Sequence, residues 1–306
     1  MFSFIKWFTM LIQKTRKNKG LWFTLLTVIS LGGIFISLFF VNFLVNDVAK
    51  KTYENQRINY LLSSKTIYDL QNKIVLSSAS SISQNANIYS LFQSDDINKT
   101  QKLEAIANNY TNILNQNLNS KYFQVHFVYD SNSVDIKKTH GIFIKQDGIY
   151  FGAKLPLASH NNIKLSVQVD EKINSFAEIF RREKREVALL LNSAAMSQID
   201  LKIKKEQYVK IHDFYYVNNK IFDKEFISSI KSADFKKFKK DGYIKNINYF
   251  FVSERLFDHN GQDLGIMVVG KKIVEKNSFV NLIKNLVNSV TIVALGLIIS
   301  MILFLF

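Results

Sequence analysis

The N-terminal part of the chain contains a long apolar run, followed by apolar residues at the spacing of one face of a helix. Residues 21–45 carry no charged side chain, and about 20 apolar residues are enough to cross a bilayer core. The run therefore predicts a transmembrane helix over residues 21–45. Beyond it the sequence turns polar, while apolar residues recur mostly at the spacing of one buried helix face: Ile58, Leu61, Ile67, Leu70, Ile74 and Ile82. We expect the helix to continue as a stalk.

The opposite end of the chain has a second uncharged run. Residues 286–306 are also long enough to span, which predicts a second transmembrane helix. Residues 1–20 are basic and partly apolar, typical of a cytoplasmic, interfacial segment under the positive-inside rule. The predicted location is the inner (cell) membrane, multi-pass, with residues about 46–285 extracytoplasmic. A cleaved signal peptide is the alternative for the first run, but its apolar core is long for one.

Between these ends the hydrophobic period changes from helix to strand. Leu103, Ile106, Tyr110, Ile113 and Leu118 form one helical stripe. Alternation then predicts strands at 123–129, 141–144, 149–156 and 163–169, separated by turns rich in Asp, Asn, Ser and Gly. An antiparallel sheet with helices on one side is an α+β module.

A charged helix is predicted after the fourth strand. Asp170 is a candidate N-cap, and Ile173, Phe176, Ile179 and Phe180 line its apolar face. Mixed charges follow from Arg181 to Glu186, and they are usually solvated pairs. The functional alternative is an arginine that pairs with a ligand carboxylate. Residues 187–191 predict a further strand.

The last hairpin of the chain repeats an earlier one. Residues 249–257 and 264–273 predict two strands joined by the turn DHNGQ. Tyr150-Phe151 corresponds to Tyr249-Phe250, and His160-Asn161-Asn162 corresponds to His259-Asn260-Gly261 at the same offset. Two copies of one sheet module would leave this pattern.

Charge and composition remove several classes of function. The 306 residues carry a formal net charge of +15 and no cysteine, so disulfides and thiolate chemistry are excluded. Lysines spread over a surface are usually a solvated face, and nucleic-acid binding needs a clustered basic stripe, so the net charge is not taken to indicate nucleic-acid binding. The five histidines lack metal-ligand spacing, and no phosphate-binding loop or nucleophile elbow is present. We expect no enzyme activity, catalytic residue, metal or cofactor.

The order of these elements resembles the double Cache sensor regions, PAS-like periplasmic domains of bacterial chemoreceptors, sensor kinases and diguanylate cyclases. The final segment SERLFDHNGQDLGIMVVGKKI is similar to the last hairpin of such domains. The resemblance covers roughly residues 46–274. It implies a ligand site in the membrane-distal module and a signal that travels along the helices. The residue pattern of the amino-acid-binding subgroup is missing, so the resemblance implies no ligand class.

The expected fold class is α+β, with two transmembrane helices flanking a long stalk helix and two antiparallel-sheet, Cache-like modules. The expected division is 1–20 basic N-terminus, 21–45 first span, 46–120 helical stalk, 121–200 distal module, 201–280 proximal module and 286–306 second span. An output domain is expected on a separate cytoplasmic signalling partner or on chain beyond Phe306.

The predicted function is a membrane-anchored sensor that binds a small-molecule ligand and signals through its helices as a homodimer. The candidate ligand-binding residues lie on or beside the distal sheet: Tyr122, His126, Tyr129, Tyr150, Lys154 and Arg181. For each tyrosine, ordinary packing in the core or at its rim is the competing interpretation. The alternative function is a non-sensing scaffold or partner subunit whose outer domain binds another protein.

Overall fold

The structure is a computed structural model that describes residues 19–130, 138–160, 163–212, 215–273 and 279–303. The predictions for the basic segment before residue 19, for the turn at 131–133 and for residues 304–306 lie outside these ranges. Contacts divide the chain into two compact units, Met1–Asn55 with Val274–Phe306, and Gln56–Ile273. The second unit contains the sheets and all of the candidate ligand-binding residues.

Two long helices contribute to the first unit. Helix α1 is Lys19–Ser83. The last helix of the chain is Phe279–Leu303, and its first half carries Lys284, Asn285 and Asn288.

The prediction of two transmembrane helices at 21–45 and 286–306 is wrong. Among the described residues, no helix is both long enough and apolar enough to cross a bilayer. The prediction counted uncharged residues, whereas the helices extend beyond those runs into polar sequence that includes Lys50, Lys51 and Lys284. The multi-pass membrane location with an extracytoplasmic segment at 46–285 depended on those spans, so it is wrong as well.

The second unit begins with helices that pack on the first sheet. After α1 come α2 (Ala86–Gln93) and α3 (Lys99–Asn117). Four antiparallel strands follow: β1 (Phe123–Asp130), β2 (Thr139–Lys145), β3 (Gly148–His160) and β4 (Ile163–Lys172). Their order in the sheet is β1-β4-β3-β2. Helix α4 (Asn174–Arg182) closes this part of the chain.

A second, six-stranded sheet is built from the remaining strands in the order β6-β7-β5-β10-β9-β8. Its strands are β5 (Glu186–Asn192), β6 (Tyr208–His212), β7 (Tyr215–Asn218), β8 (Tyr243–Lys245), β9 (Tyr249–Phe257) and β10 (Asp263–Lys272). Between them lie α5 (Ser193–Ser197), α6 (Leu201–Gln207), α7 (Lys224–Lys231) and α8 (Phe235–Asp241), and α9 is the final helix described above. The α+β class with two antiparallel sheets is therefore confirmed.

The four strands of the first sheet have the same topology as four adjacent strands at one end of the second sheet. The order β5-β10-β9-β8 matches β1-β4-β3-β2 strand for strand, and all neighbours are antiparallel. Even the register agrees, because Tyr150 lies opposite Lys172 in one sheet and Tyr249 lies opposite Lys272 in the other. The hairpin similarity in the sequence thus corresponds to a structural repeat.

Helix α1 packs against both sheets through an aromatic residue of each. The rings of Tyr68 and Phe151 lie 5.4 Å apart, and those of Tyr60 and Phe250 lie 5.6 Å apart. The two tyrosines are eight residues apart, about 12 Å along the helix. Phe151 also contacts Phe176 of α4 at 5.1 Å, so α1 and α4 cover the same face of the first sheet.

The alternating pattern located the strands well, but it misplaced one acid. Strands predicted at 141–144, 149–156, 163–169 and 187–191 all exist, most of them a few residues longer than predicted. Asp170 is not the cap of the following helix, because the N-cap of α4 is Ile173. Asp170 instead lies inside β4, where it is fully buried.

Candidate functional site

The face of the first sheet that points away from α1 carries a group of interacting polar side chains. Paired residues of an antiparallel sheet point to the same side, so the register places on this face Gln124 and His126 of β1, Phe143 and Lys145 of β2, Tyr150 and Lys154 of β3, and Gln168, Asp170 and Lys172 of β4. We call His126, Lys145, Tyr150, Gln168 and Asp170 the polar cluster.

Asp170 is the centre of the polar cluster. Its Oδ2 lies 2.5 Å from Lys145 Nζ and 4.0 Å from His126 Nε2, and its Oδ1 accepts a hydrogen bond from Gln168 Nε2 at 3.0 Å. A carboxylate is buried at acceptable cost only when it is paired and hydrogen-bonded in this way. The arrangement fixes a negative group beneath a partly exposed lysine and histidine.

Glycine at position 152 makes room for this carboxylate. A Cβ atom at Gly152 would lie 2.7 Å from Asp170 Oδ1 and 2.7 Å from the Phe143 ring. Any side chain there would displace Asp170 or Phe143. The absence of a side chain on β3 therefore allows an acid on β4.

Tyr150 extends the polar cluster toward one end of the sheet. Its hydroxyl donates a hydrogen bond to Asp147, and the ammonium groups of Lys145 and Lys172 lie 5.0 and 5.7 Å from its ring centroid. Burial and the neighbouring Asp147 carboxylate strongly raise the pKa of the Tyr150 hydroxyl. Tyr150 therefore stays a neutral hydrogen-bond donor at any physiological pH.

A cleft of about 420 Å³ opens beside Tyr150. The first sheet contributes Asp147, Gly148, Ile149, Tyr150 and Lys172, and the second half of the unit contributes Glu206, Gln207, Asn218, Lys220 and Ile221. Its volume suits a small molecule, and its lining is rich in hydrogen-bonding groups.

His126 is the half-exposed member of the polar cluster. Burial lowers the pKa of its imidazole below the ordinary value of 6.5, while the Asp170 carboxylate acts in the opposite direction. The ring is thus neutral at pH 7 and can both donate and accept a hydrogen bond. Lys145 and His126 are therefore two hydrogen-bond donors held near the Asp170 carboxylate.

The repeat fills the equivalent face of the second sheet with aromatic rings. There Phe251 takes the place of Gly152, and Gly270 takes the place of Asp170. A Cβ atom at Gly270 would lie 2.5 Å from the Phe226 ring of α7. Phe226 and Phe238 both pack on Phe251, at 6.0 and 5.2 Å between centroids. One copy of the module thus buries an apolar core where the other presents a polar cluster.

The structure brings only some of the predicted site residues together. Tyr122 and Tyr150 line the same cleft, whereas His126 and Tyr129 line a separate groove between β1 and α3. Lys154 is paired with Gln168 in the sheet, beside the polar cluster. Arg181 lies apart on α4, donates to the Ile221 carbonyl oxygen and has its Nε 4.0 Å from Glu186.

Two of the tyrosines have structural partners. Tyr129 contacts Phe92 of α2 at 6.1 Å between ring centroids, on the helix-covered face. The Tyr122 hydroxyl donates to Glu178 Oε1 at 2.5 Å, and burial together with that carboxylate raises the pKa of Tyr122 to about 12.

Sequence reasoning missed the most connected residues of the site. Lys145, Gln168 and Asp170 were not candidates, because alternation along a strand identifies which side a residue faces but not whether it is buried in an ion pair. Lys145 lies on β2 and Asp170 on β4, and β3 separates these two strands in the sheet, so no hairpin spacing in the sequence pairs them. Chemically, the cluster presents hydrogen-bonding groups and charges on one face of the sheet. Within the described ranges, no three His, Cys, Asp or Glu side chains group as a metal site would require.

The sequence was compared with known proteins. No family model matches it, and no curated protein matches it significantly.

Proposed function

We propose that this chain is a sensor module in which a small polar molecule binds the polar cluster and the adjoining cleft of the first sheet. The contrast between the two repeats is the observation that carries the proposal. A fold that needed this face only for stability would pack it with rings, as Phe226, Phe238 and Phe251 do in the second copy. The first copy keeps a buried ion pair there, which is a poor source of stability.

The resemblance to double Cache regions supports the same proposal. That resemblance implies a ligand site in the first module and an output elsewhere. A ligand at the polar cluster would contact β3 and β4, and Phe151 of β3 touches Tyr68 of α1 from the other face. Ligand binding shifts α1 only if the ligand favours one arrangement of the helix over another.

Replacing His126 with alanine tests the site with little risk to the fold, because half of this side chain is exposed. A panel of organic acids, amino acids and amines is titrated by calorimetry into the full chain, with non-ionic detergent to mask exposed Phe35, Phe39 and Phe43. We expect a binder whose affinity falls at least tenfold in His126→Ala, since a lost hydrogen bond to a buried ligand is worth about 1.4 kcal/mol or more.

The matched control is His140→Ala, on β2 of the same sheet but paired with Ala153 and facing the other side. This variant should bind like the natural chain. For the natural chain, hydrogen exchange in α1 should also slow or quicken on ligand addition. A panel without binders, or equal losses in both variants, would contradict the sensor proposal and favour the scaffold alternative.

We also propose that a second copy of the chain pairs along α1. Ile58, Leu62 and Leu70 are exposed there and lie within about 120° of one another around the helix axis. Leu62→Lys should raise the dimer dissociation constant at least tenfold, measured by analytical ultracentrifugation, because it buries a charge in an apolar contact. Ile97→Lys changes an almost fully exposed residue outside α1 and should have no effect. A monomeric natural chain would refute the pairing.

A further inference from the structure

A second cleft, of about 490 Å³, lies on the opposite, α1-covered face of the first sheet. Gln71 and Ile74 of α1 line one wall, and Ser175, Glu178, Ile179 and Arg182 of α4 line another. The remaining lining comes from residues 118–123 and from Glu171 of β4. Tyr122 lines both this cleft and the one beside Tyr150, but none of the other residues here belongs to the proposed sensor site.

Two buried acceptors in this cleft have no donor. Glu171 is 3% exposed and Gln71 is 2% exposed. Glu171 Oε2 and Gln71 Oε1 accept no hydrogen bond from any residue that the structure describes. A buried acceptor without a donor costs free energy, so each such group requires an explanation.

The missing partner must supply hydrogen atoms. Both orphaned atoms are oxygens, and a third oxygen, Ser175 Oγ, lies 3.2 Å from the Lys172 carbonyl oxygen and within hydrogen-bonding reach of the Glu171 carboxyl. A Ca²⁺ ion would require six to eight oxygen ligands. A primary ammonium group carries three donors and one positive charge, which matches three oxygens of which one belongs to a carboxylate.

We infer that the cleft between α1 and α4 binds a small primary ammonium compound, whose nitrogen donates to Glu171, Gln71 and Ser175. The alkyl part of the ligand lies against Ile74, Phe123 and Ile179. This inference does not depend on the sensor proposal, because it concerns different residues on the other face of the sheet.

Charges at the cleft decide which ammonium compounds fit. Arg182 and Lys121 are exposed and line it, while Glu178 accepts the hydrogen bond of Tyr122. A free carboxylate on the ligand would thus meet two cations, whereas a second ammonium would meet Glu178. An ω-amino acid and a diamine both carry the ammonium group that would bind Glu171. They differ only in the group at the other end of the ligand, which is a carboxylate in one and a second ammonium in the other.

The ionisation of Glu171 should make amine binding depend on pH. Burial raises the pKa of Glu171 to about 7, and the Ser175 hydroxyl acts in the opposite direction. The other titratable groups that line the cleft are Lys121, Tyr122, Glu178 and Arg182. Because the bound ammonium favours the carboxylate over the carboxylic acid, affinity should rise roughly tenfold from pH 6 to pH 8.

The test uses three probes of equal chain length on the full chain: 1,5-diaminopentane, 5-aminopentanoate and pentanoate. Calorimetry at pH 6 and pH 8 should give binding of at least one amine, stronger at pH 8, and none of pentanoate. A lower Kd for 5-aminopentanoate would assign the outer end to Arg182 and Lys121, and a lower Kd for the diamine would assign it to Glu178.

Glu171→Gln should weaken amine binding at least tenfold and abolish its pH dependence. Its matched control, Glu254→Gln, alters a carboxyl on β9 whose pKa burial also raises and should bind like the natural chain. The inference would be overturned if the two amines failed to bind at both pH values. It would also be overturned if amine binding were unchanged in Glu171→Gln. A protonated Glu171 that donates to Gln71 would then account for both oxygens. His126→Ala should leave amine binding intact, which separates this cleft from the polar cluster.

Discussion

Replacing Asp170 with alanine should lower the free energy of unfolding by about 3–5 kcal/mol. The variant leaves Lys145, whose side chain is two-thirds buried, and Gln168 without the carboxylate that both now contact. Most of the loss comes from the uncompensated lysine rather than from the missing acid. Urea denaturation monitored by circular dichroism measures it, with an unchanged denaturant slope as the check on two-state behaviour.

Two further variants isolate the cause of that loss. Adding Lys145→Met to Asp170→Ala should recover at least half of the lost stability, because it removes the unpaired charge. Glu225→Ala breaks a more exposed pair, 3.0 Å from Lys272, and should cost no more than about 1 kcal/mol. A double variant no more stable than Asp170→Ala alone would mean that packing, not the ion pair, explains the effect.

Replacing Glu171 with glutamine should have the opposite effect on stability at pH 8. The folded chain holds a carboxyl whose pKa is about 7, against an ordinary value of 4.5. Between these values the folded chain keeps a proton that the unfolded chain has released, so stability falls as pH rises from about 4.5 to about 7. At roughly 1.4 kcal/mol per pKa unit, the ionised group costs about 3 kcal/mol above pH 7. Glu171→Gln should therefore be about 2–3 kcal/mol more stable than the natural chain at pH 8.

The pH dependence distinguishes ionisation from simple repacking. Below pH 4.5 both chains carry a neutral side chain at position 171, so their unfolding free energies should agree within about 1 kcal/mol. The difference should grow through pH 7 and then level off. Other groups with shifted pKa values, such as His126 and Glu254, are common to both chains and cancel in the comparison. A constant gain at every pH would contradict the assignment.

These two neighbouring acids also mark the limit of what the sequence could predict. Alternation predicted a strand at 163–169 and left both acids outside it, with Asp170 as a helix cap, whereas β4 extends to Lys172. Alternation along one strand could not show that Asp170 pairs with Lys145. Nor could it show that Glu171 is buried in the same cleft as Gln71 of α1, without a hydrogen-bond donor for its Oε2 atom. Those outcomes depend on β2 and α1, which lie 25 or more residues away along the chain.

The helices illustrate a different limit. The stripe from Ile58 to Ile82 predicted a helix that continues beyond residue 45, and α1 does extend to Ser83. Its packing on the sheets was not predicted, and of the stripe Ile67 and Ile82 are buried whereas Ile58 and Leu70 are exposed. The transmembrane helices at 21–45 and 286–306 were predicted from runs of uncharged residues alone. Within the part of the chain that the structure describes, no helix has both the length and the apolar character needed to cross a bilayer. The Tyr-Phe repeat was a short match in sequence that predicted two copies of one sheet module, and the two sheets do contain four strands in the same order. The strand order itself was not predicted.

The place where the chain passes from β4 and α4 into the second sheet has a consequence for recombination. Lys184, with φ of 57°, makes a turn between α4 and β5, and the two sheets share no strand. Residues 123–182 can therefore be exchanged for those of another protein with the same strand order while β5–β10 keep every hydrogen-bonded neighbour. A chimera joined at 183–185 would keep the strand pairing and the aromatic packing of the second sheet. It would have to restore the backbone hydrogen bonds that reach the exchanged segment from His259 N–H to Ile142 and from Asp200 N–H to Gln146.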